Sequence, residues 1–108
     1  MATAPTAQPI YEDPVKVDPR HYKVELENDR VRVLRISYGP REKSVMHGHP
    51  ATVGVFLTDA HFRFTYPDGK SEEIEGKAGQ ALFFDAFVHL PESLSDKPFE
   101  AIGIELKV

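Results

Sequence analysis

Hydrophobic and polar residues along this chain alternate with a period of two and do not recur at every third or fourth position. Successive side chains of a strand point to opposite faces, so a period of two marks half-buried strands. Tyr22-Lys23-Val24-Glu25-Leu26-Glu27 alternates and is closed by a turn signal at Asn28-Asp29. Val31 to Ile36 is rich in β-branched residues and predicts a second strand, stopped by Gly39-Pro40. Val45-Met46-His47-Gly48-His49 predicts a short strand that ends at Pro50. Val53-Gly54-Val55-Phe56-Leu57 is apolar on both parities, as a well-buried strand would be.

His61-Phe62-Arg63-Phe64-Thr65-Tyr66 alternates strictly, with aromatic rings on one face and polar groups on the other. Pro67-Asp68-Gly69 predicts a hairpin turn, and Ser71 to Glu75 the returning strand. A loop over Gly76-Lys77-Ala78-Gly79 leads into strand Ala81-Leu82-Phe83-Phe84, and Pro91 is expected to break the chain. Phe99 to Val108 sets Phe99, Ala101, Gly103 and Glu105 against Glu100, Ile102, Ile104 and Leu106 and closes the domain as a strand. Eight or nine short strands with regular turn signals predict an all-β sandwich or barrel.

The first twenty residues differ. Pro5, Pro9, Pro14 and Pro19 fix φ and remove donors, so an extended or irregular arm is predicted there, not a helix. Such an arm is either a disordered tail or a strap along a partner subunit, with Val15 and Val17 as a short edge strand. The expected organisation is therefore a Pro-rich arm over residues 1–20 and a single domain over residues 21–108.

Composition removes several function classes. The length of 108 residues suits one domain, and 41% apolar with 28% charged residues is the balance of an ordinary folded chain. A net charge of −4 with scattered Lys and Arg argues against nucleic acid or an anionic membrane as partner. No apolar stretch approaches the roughly 18 residues that span a bilayer. Met1 to Pro9 lacks the basic and apolar regions of a secretory signal, so a cytoplasmic location is expected. The absence of cysteine excludes disulfides, thiolate ligands and cysteine nucleophiles, so a metal site must use His, Asp, Glu, backbone or water.

The five histidines are His21, His47, His49, His61 and His89. His47 and His49 stand two apart in a predicted strand and so share one face, with Gly48 leaving the other face uncrowded. His89 follows strand 81–84. If that strand neighbours the His47–His49 strand, three imidazoles converge. Three neutral nitrogens suit iron, manganese, nickel, copper, cobalt or zinc, and three protein ligands leave coordination positions open for reaction.

At these residues the sequence resembles the cupin superfamily. The first cupin motif reads as a glycine, about five residues, His-x-His, three or four residues, a glutamate, six residues and a glycine. It is met by the stretch Gly39-Pro40-Arg41-Glu42-Lys43-Ser44-Val45-Met46-His47-Gly48-His49. The second motif is met by Gly79-Gln80-Ala81-Leu82-Phe83-Phe84-Asp85-Ala86-Phe87-Val88-His89. The resemblance covers roughly residues 22–108 and implies a double-stranded β-helix, or jelly-roll barrel, with one divalent metal on His47, His49 and His89. The chain departs from the pattern in a longer Gly39–His47 gap and in Val53, where the family places its glutamate ligand. It also has Ala60, Phe84, Ala86 and Ser93 at four scaffold positions. Loss of the glutamate removes a negative charge from the metal and resembles three-histidine cupins such as diketone-cleaving and thiol dioxygenases.

Other residues receive subsidiary roles. Asp85 is either an acceptor that orients an imidazole or a turn cap. Phe56, Phe83, Phe84 and Phe87 are expected in the core or pocket wall. Arg63 and His61 are expected outside, because their strand's aromatic face should point inward; with the faces reversed, Arg63 would be an anion clamp. Glu92 is read as a solvated loop carboxylate, with a base near the metal as the sharper role, and His21 as a solvated or capping residue. The expected function is a mononuclear non-haem metal oxygenase acting on a small chelating molecule, diketone-like or thiol-like, with iron the favoured metal. A non-catalytic metal-binding or ligand-binding cupin and a zinc-type isomerase, lyase or hydrolase are the alternatives. A homodimer is the expected assembly.

Overall fold

In the computed structural model, which describes residues 11–107, the alternating segments become nine strands in two antiparallel sheets. The strands are β1 Tyr22–Glu27, β2 Val31–Tyr38, β3 His47–His49, β4 Thr52–Phe56, β5 Ala60–Thr65, β6 Ser71–Gly76, β7 Ala81–Phe84, β8 Phe87–Ser93 and β9 Phe99–Leu106. One sheet has the order β1-β2-β9-β4-β7 and the other β3-β8-β5-β6. The last strand thus sits in the middle of the first sheet, between β2 and β4. This interleaving makes the barrel the double-stranded β-helix anticipated from the motifs.

The inner face of each sheet follows the alternation. β9 alternates strictly between buried and half-buried positions, with Phe99, Ala101, Gly103 and Glu105 inward. Leu34, Tyr38, Phe56, Phe62, Phe99 and Ala101 form the core with Tyr22 and Ala60. The expected hairpin joins β5 to β6, and Gly69 takes φ +89° there, a conformation that glycine adopts without strain. The strand faces also fall as expected: Phe62 is buried, whereas Arg63 is exposed.

Three readings are corrected. Pro91 does not break the chain; it lies buried within β8, opposite Phe64. Its carbonyl accepts from Ser44 N at 2.9 Å, so its missing donor falls on the side of the irregular 43–46 segment, where no ladder bond is lost. Phe83 is no core residue: it is 58% exposed on the outer face. The arm is not wholly irregular, since Pro14–Val17 forms one helical turn (α1). Asp13 caps it, accepting from Val15 N, and Pro14 takes the first helical position, where proline costs no hydrogen bond. Val15 and Val17 therefore sit in a helix and not an edge strand, and α1 packs on β1 and β3 of its own chain. Residues 1–10 of the expected arm lie outside the described residues.

Candidate metal centre

β3 carries His47 and His49 two residues apart, so both imidazoles leave one face. β8 runs antiparallel beside it, with His89 opposite His47 and Phe87 opposite His49. This corrects the expected route to convergence. β7, over residues 81–84, pairs with β4 in the other sheet, and it is β8 that brings His89 to the pair. The ring centroids stand 5.0 Å apart for His47–His49, 4.8 Å for His47–His89 and 5.3 Å for His49–His89. All three histidines are buried, and one nitrogen from each can be chosen so that all lie within 4.8 Å of one another.

Hydrogen bonding orders the nitrogens. His47 Nδ1 lies 2.8 Å from the Val45 carbonyl, which can only accept, so Nδ1 carries the proton and Nε2 keeps its lone pair. Nε2 of His47 and both ring nitrogens of His89 are buried without a partner. Buried polar atoms are nearly always satisfied, and a cation would satisfy one such nitrogen on each of these two rings. Burial first, then the neighbouring His49, lowers His47 to about 4. Burial, with His49 and His47 beside it, holds His89 well below the ordinary imidazole value. Both are therefore neutral near pH 7, as metal ligation requires.

The buried carboxylate of the site is Glu105, which sequence reasoning missed. From β9, in register with Thr52, its Oε2 lies 2.8 Å from His49 Nδ1, leaving His49 Nε2 for the cavity. Its Oε1 accepts from Arg32 Nε at 2.8 Å, and Arg32 in turn donates to both oxygens of Asp13, at 3.0 and 2.9 Å. Burial alone would raise the Glu105 carboxyl. The His49 and Arg32 hydrogen bonds outweigh it and hold the carboxyl below its usual range. The signal for it was present: Glu105 is the one acid on the inward parity of an otherwise apolar closing strand.

The other assigned residues divide. Phe87 lines the cavity, its ring centroid 4.3 Å from that of His89 and 5.5 Å from that of His49. Asp85 is corrected: it is exposed between β7 and β8, and His89 has no hydrogen-bond partner that it could be. Val53 faces away from the cavity, because the inward positions of β4 are Thr52, Gly54 and Phe56. Neither Thr52 nor Gly54 is acidic, so β4 still supplies no fourth ligand. Arg63 is no pocket residue; it is exposed and pairs with Glu92 at 3.4 Å, which places Glu92 on that outer face too. His61 pairs with Glu73 at 2.7 Å, outside.

His21 is corrected from solvated to buried. It stacks on Tyr38 with centroids 4.1 Å apart and bridges Asp18 at 2.7 Å and Glu42 at 2.9 Å. Asp18 accepts from Ser44 Oγ, which lies 3.3 Å from His47 Nδ1. The arm thus supports the back of the site. Gly48 N donates to the Glu12 carbonyl at 3.0 Å, and the Tyr11 ring lies where a Cβ of residue 48 would stand.

In front of the histidines lies a cavity of about 80 Å³. On the scale of roughly 10–15 Å³ per water, that admits only a small molecule. Its walls include Leu34, Ile36, Phe62, Phe64, Phe84 and Phe87, and among its lining residues there is no Lys or Arg.

No family model and no curated protein matches this sequence. Solved structures do. A cupin domain from Bordetella pertussis Tohama I is 25% identical, covering 81% of this chain and 92% of that one, with a TM-score of 0.74. The chain is a cupin by fold. A cupin superfamily protein from Desulfitobacterium hafniense DCB-2 overlaps 79% of this cupin and 74% of its own length at 17% identity and TM-score 0.59. Bacillus subtilis oxalate decarboxylase, whose structure concerns Mn(II) centres, is 18% identical over 71% of this cupin and 22% of its own chain, with a TM-score of 0.56. At those identities the last two speak for the fold alone. The cupin's three-histidine group is able to hold a metal ion, and no helix among the described residues is long and apolar enough to cross a membrane.

Proposed function

We propose that this cupin holds one divalent transition metal on His47, His49 and His89 and, with iron as the favoured metal, oxygenates a small uncharged chelating substrate. The observation that carries this reading is the cluster of three buried imidazoles, with nitrogens of His47 and His89 left unpartnered, at one end of an otherwise apolar cavity. A metal on three neutral nitrogens supplies Lewis acidity, redox chemistry where it is iron, and coordination positions that the protein leaves unfilled.

The chain's own residues narrow the substrate. A zwitterionic thiol could give one anionic group to the metal, but its remaining charged groups would shed water without meeting a charged side chain free to pair with them, and that desolvation is costly. A neutral diketone offers paired oxygens for chelation and an apolar body for the Phe62, Phe64 and Phe87 rings. Acid–base groups are scarce there. Glu105 is engaged by His49 and Arg32. The Tyr22 and Tyr38 hydroxyls hold each other at 2.6 Å, and burial pushes both phenols up, so neither is a base near pH 7. Among the lining residues no carboxylate stands free to move protons, which weighs against the zinc-type isomerase, lyase or hydrolase reading.

The test is oxygen uptake by untagged protein reconstituted anaerobically with Fe(II), against a panel of small diketones and thiols. Uptake with a diketone, abolished in His89→Ala, is expected. Stoichiometric zinc or iron binding with no oxygen uptake on any substrate would sink the oxygenase and leave a binding module.

A further inference from the structure

Two glycines stand side by side in the cavity wall. Gly54 of β4 and Gly103 of β9 are directly opposed in the ladder, and both take inward positions. Their neighbours in the same row, Leu34 on β2 and Leu82 on β7, carry full side chains. The row is therefore bare only over its two middle strands. It lies two residues along from Thr52 and Glu105, about 7 Å from the level at which Glu105 meets His49 and toward the core residues Phe56 and Ala101.

Glycine inside a strand costs conformational entropy and packs nothing, so its presence needs a reason. Gly48 and Gly76 have one in packing: a Cβ would fall on the Tyr11 ring at the first and on the Phe56 ring at the second. Gly54 has none. Its φ is not positive, and its Cβ would meet Phe84 Cε2 at 3.4 Å, an ordinary contact. Gly103 is nearly as free, with a Cβ 3.1 Å from the flexible end of Ile36. What side chains would take at both positions is room in the cavity. A second observation points to a ligand in that room: His89, 4% exposed and lining the same cavity, has both ring nitrogens without a partner.

We propose that Gly54 and Gly103 form the subsite for the apolar arm of the chelating substrate, and that Gly54 sets how long that arm can be. The inference rests on the metal reading above and narrows its substrate. The chelating oxygens belong at the histidines, and the arm runs one row down over bare backbone, among the rings of Phe62, Phe64 and Phe84. An apolar cavity of about 150 Å³ takes benzene. At about 80 Å³ this one takes an ethyl-sized arm and no ring, so the substrate is a short alkyl diketone and not an aryl one.

The experiment measures acetylacetone and 3,5-heptanedione binding to the Zn(II) form, which holds a diketone without oxidising it. Gly54→Ala should leave Zn(II) affinity unchanged and raise the ratio of the heptanedione to the acetylacetone dissociation constant at least tenfold. Gly103→Ala, on the opposed strand, should do the same, with denaturant midpoints confirming that both variants fold. An unchanged ratio in either folded variant, or a zinc form that binds neither diketone, would overturn the subsite and leave the metal site standing. A wild type that holds no zinc would instead remove the metal reading, and the metal-free protein then decides the subsite. There 2-butanone, with an ethyl arm and no chelate, should shift the amide resonances of Gly54 and Gly103 and not that of Gly69 in the β5–β6 turn. Silence at both cavity glycines would overturn it.

Discussion

Glu105 Oε2 and His49 Nδ1 stand 2.8 Å apart, buried, and join the closing strand of one sheet to the histidine strand of the other. A carboxylate on the far nitrogen of a ligating imidazole fixes its tautomer and makes the other nitrogen a better donor. The negative charge that Val53 fails to supply as a ligand is thus present one ring away. Glu105→Gln keeps an acceptor but loses the charge. We expect it to weaken metal affinity by about 10–100-fold, read by competition with a chromophoric chelator. Asp13→Asn, two hydrogen bonds further out through Arg32, should weaken affinity in the same direction but by less. Equal affinities in all three proteins would remove Glu105 from the site.

Gly48→Ala should be costly although the residue lies in a short strand where alanine fits the backbone. The new Cβ would meet the Tyr11 ring, so the arm must shift off the histidine strand. A loss of about 1–3 kcal/mol is expected, the scale of overpacking, measured by denaturant titration. A neutral result would show that residues 11–18 do not brace the site.

The metal-free protein should lose stability as the pH falls from about 6.5 toward 4. His47 sits at about 4 when folded, against about 6.5 for a free imidazole. Between those values the unfolded chain binds more protons, so stability rises with pH across the window and levels off above it. His89 acts in the same direction. Denaturant midpoints of the apo protein at pH 5 and pH 7 check this; a higher midpoint at pH 5 would contradict it.

Arg63→Ala should change little. Its exposed pair with Glu92 is worth well under about 1 kcal/mol, and it faces away from the cavity. Metal affinity and oxygen uptake equal to wild type are expected. A large loss in substrate affinity would restore the anion-clamp role and with it a charged substrate.

Much of this was legible in the sequence. The period of two gave the strands, and the His-x-His spacing put two imidazoles on one face. The cupin motifs pointed to His89 even though the strand that carries it went unread. Pro91 hid that strand, because a proline is expected to break a ladder, and only the irregular neighbour at 43–46 explains why it does not. Glu105 lies 56 residues from His49, and no local pattern joins them. Pairing of β9 with β4 places it there, so the acid on an apolar parity was visible but its partner was not. Asp85 was open to two roles, imidazole acceptor or turn cap, and its exposed place between β7 and β8 removes the first.

The most direct test of the central claim is metal content per chain for protein purified without a His tag, in wild type and in His89→Ala. Each would be equilibrated in turn with Fe(II), Mn(II), Ni(II), Cu(II) and Zn(II). The account predicts one tightly held ion per wild-type chain for at least one metal, and a loss of about 100-fold or more in affinity in the variant. No stoichiometric binding of any of the five, or binding that His89→Ala leaves unchanged, would contradict it.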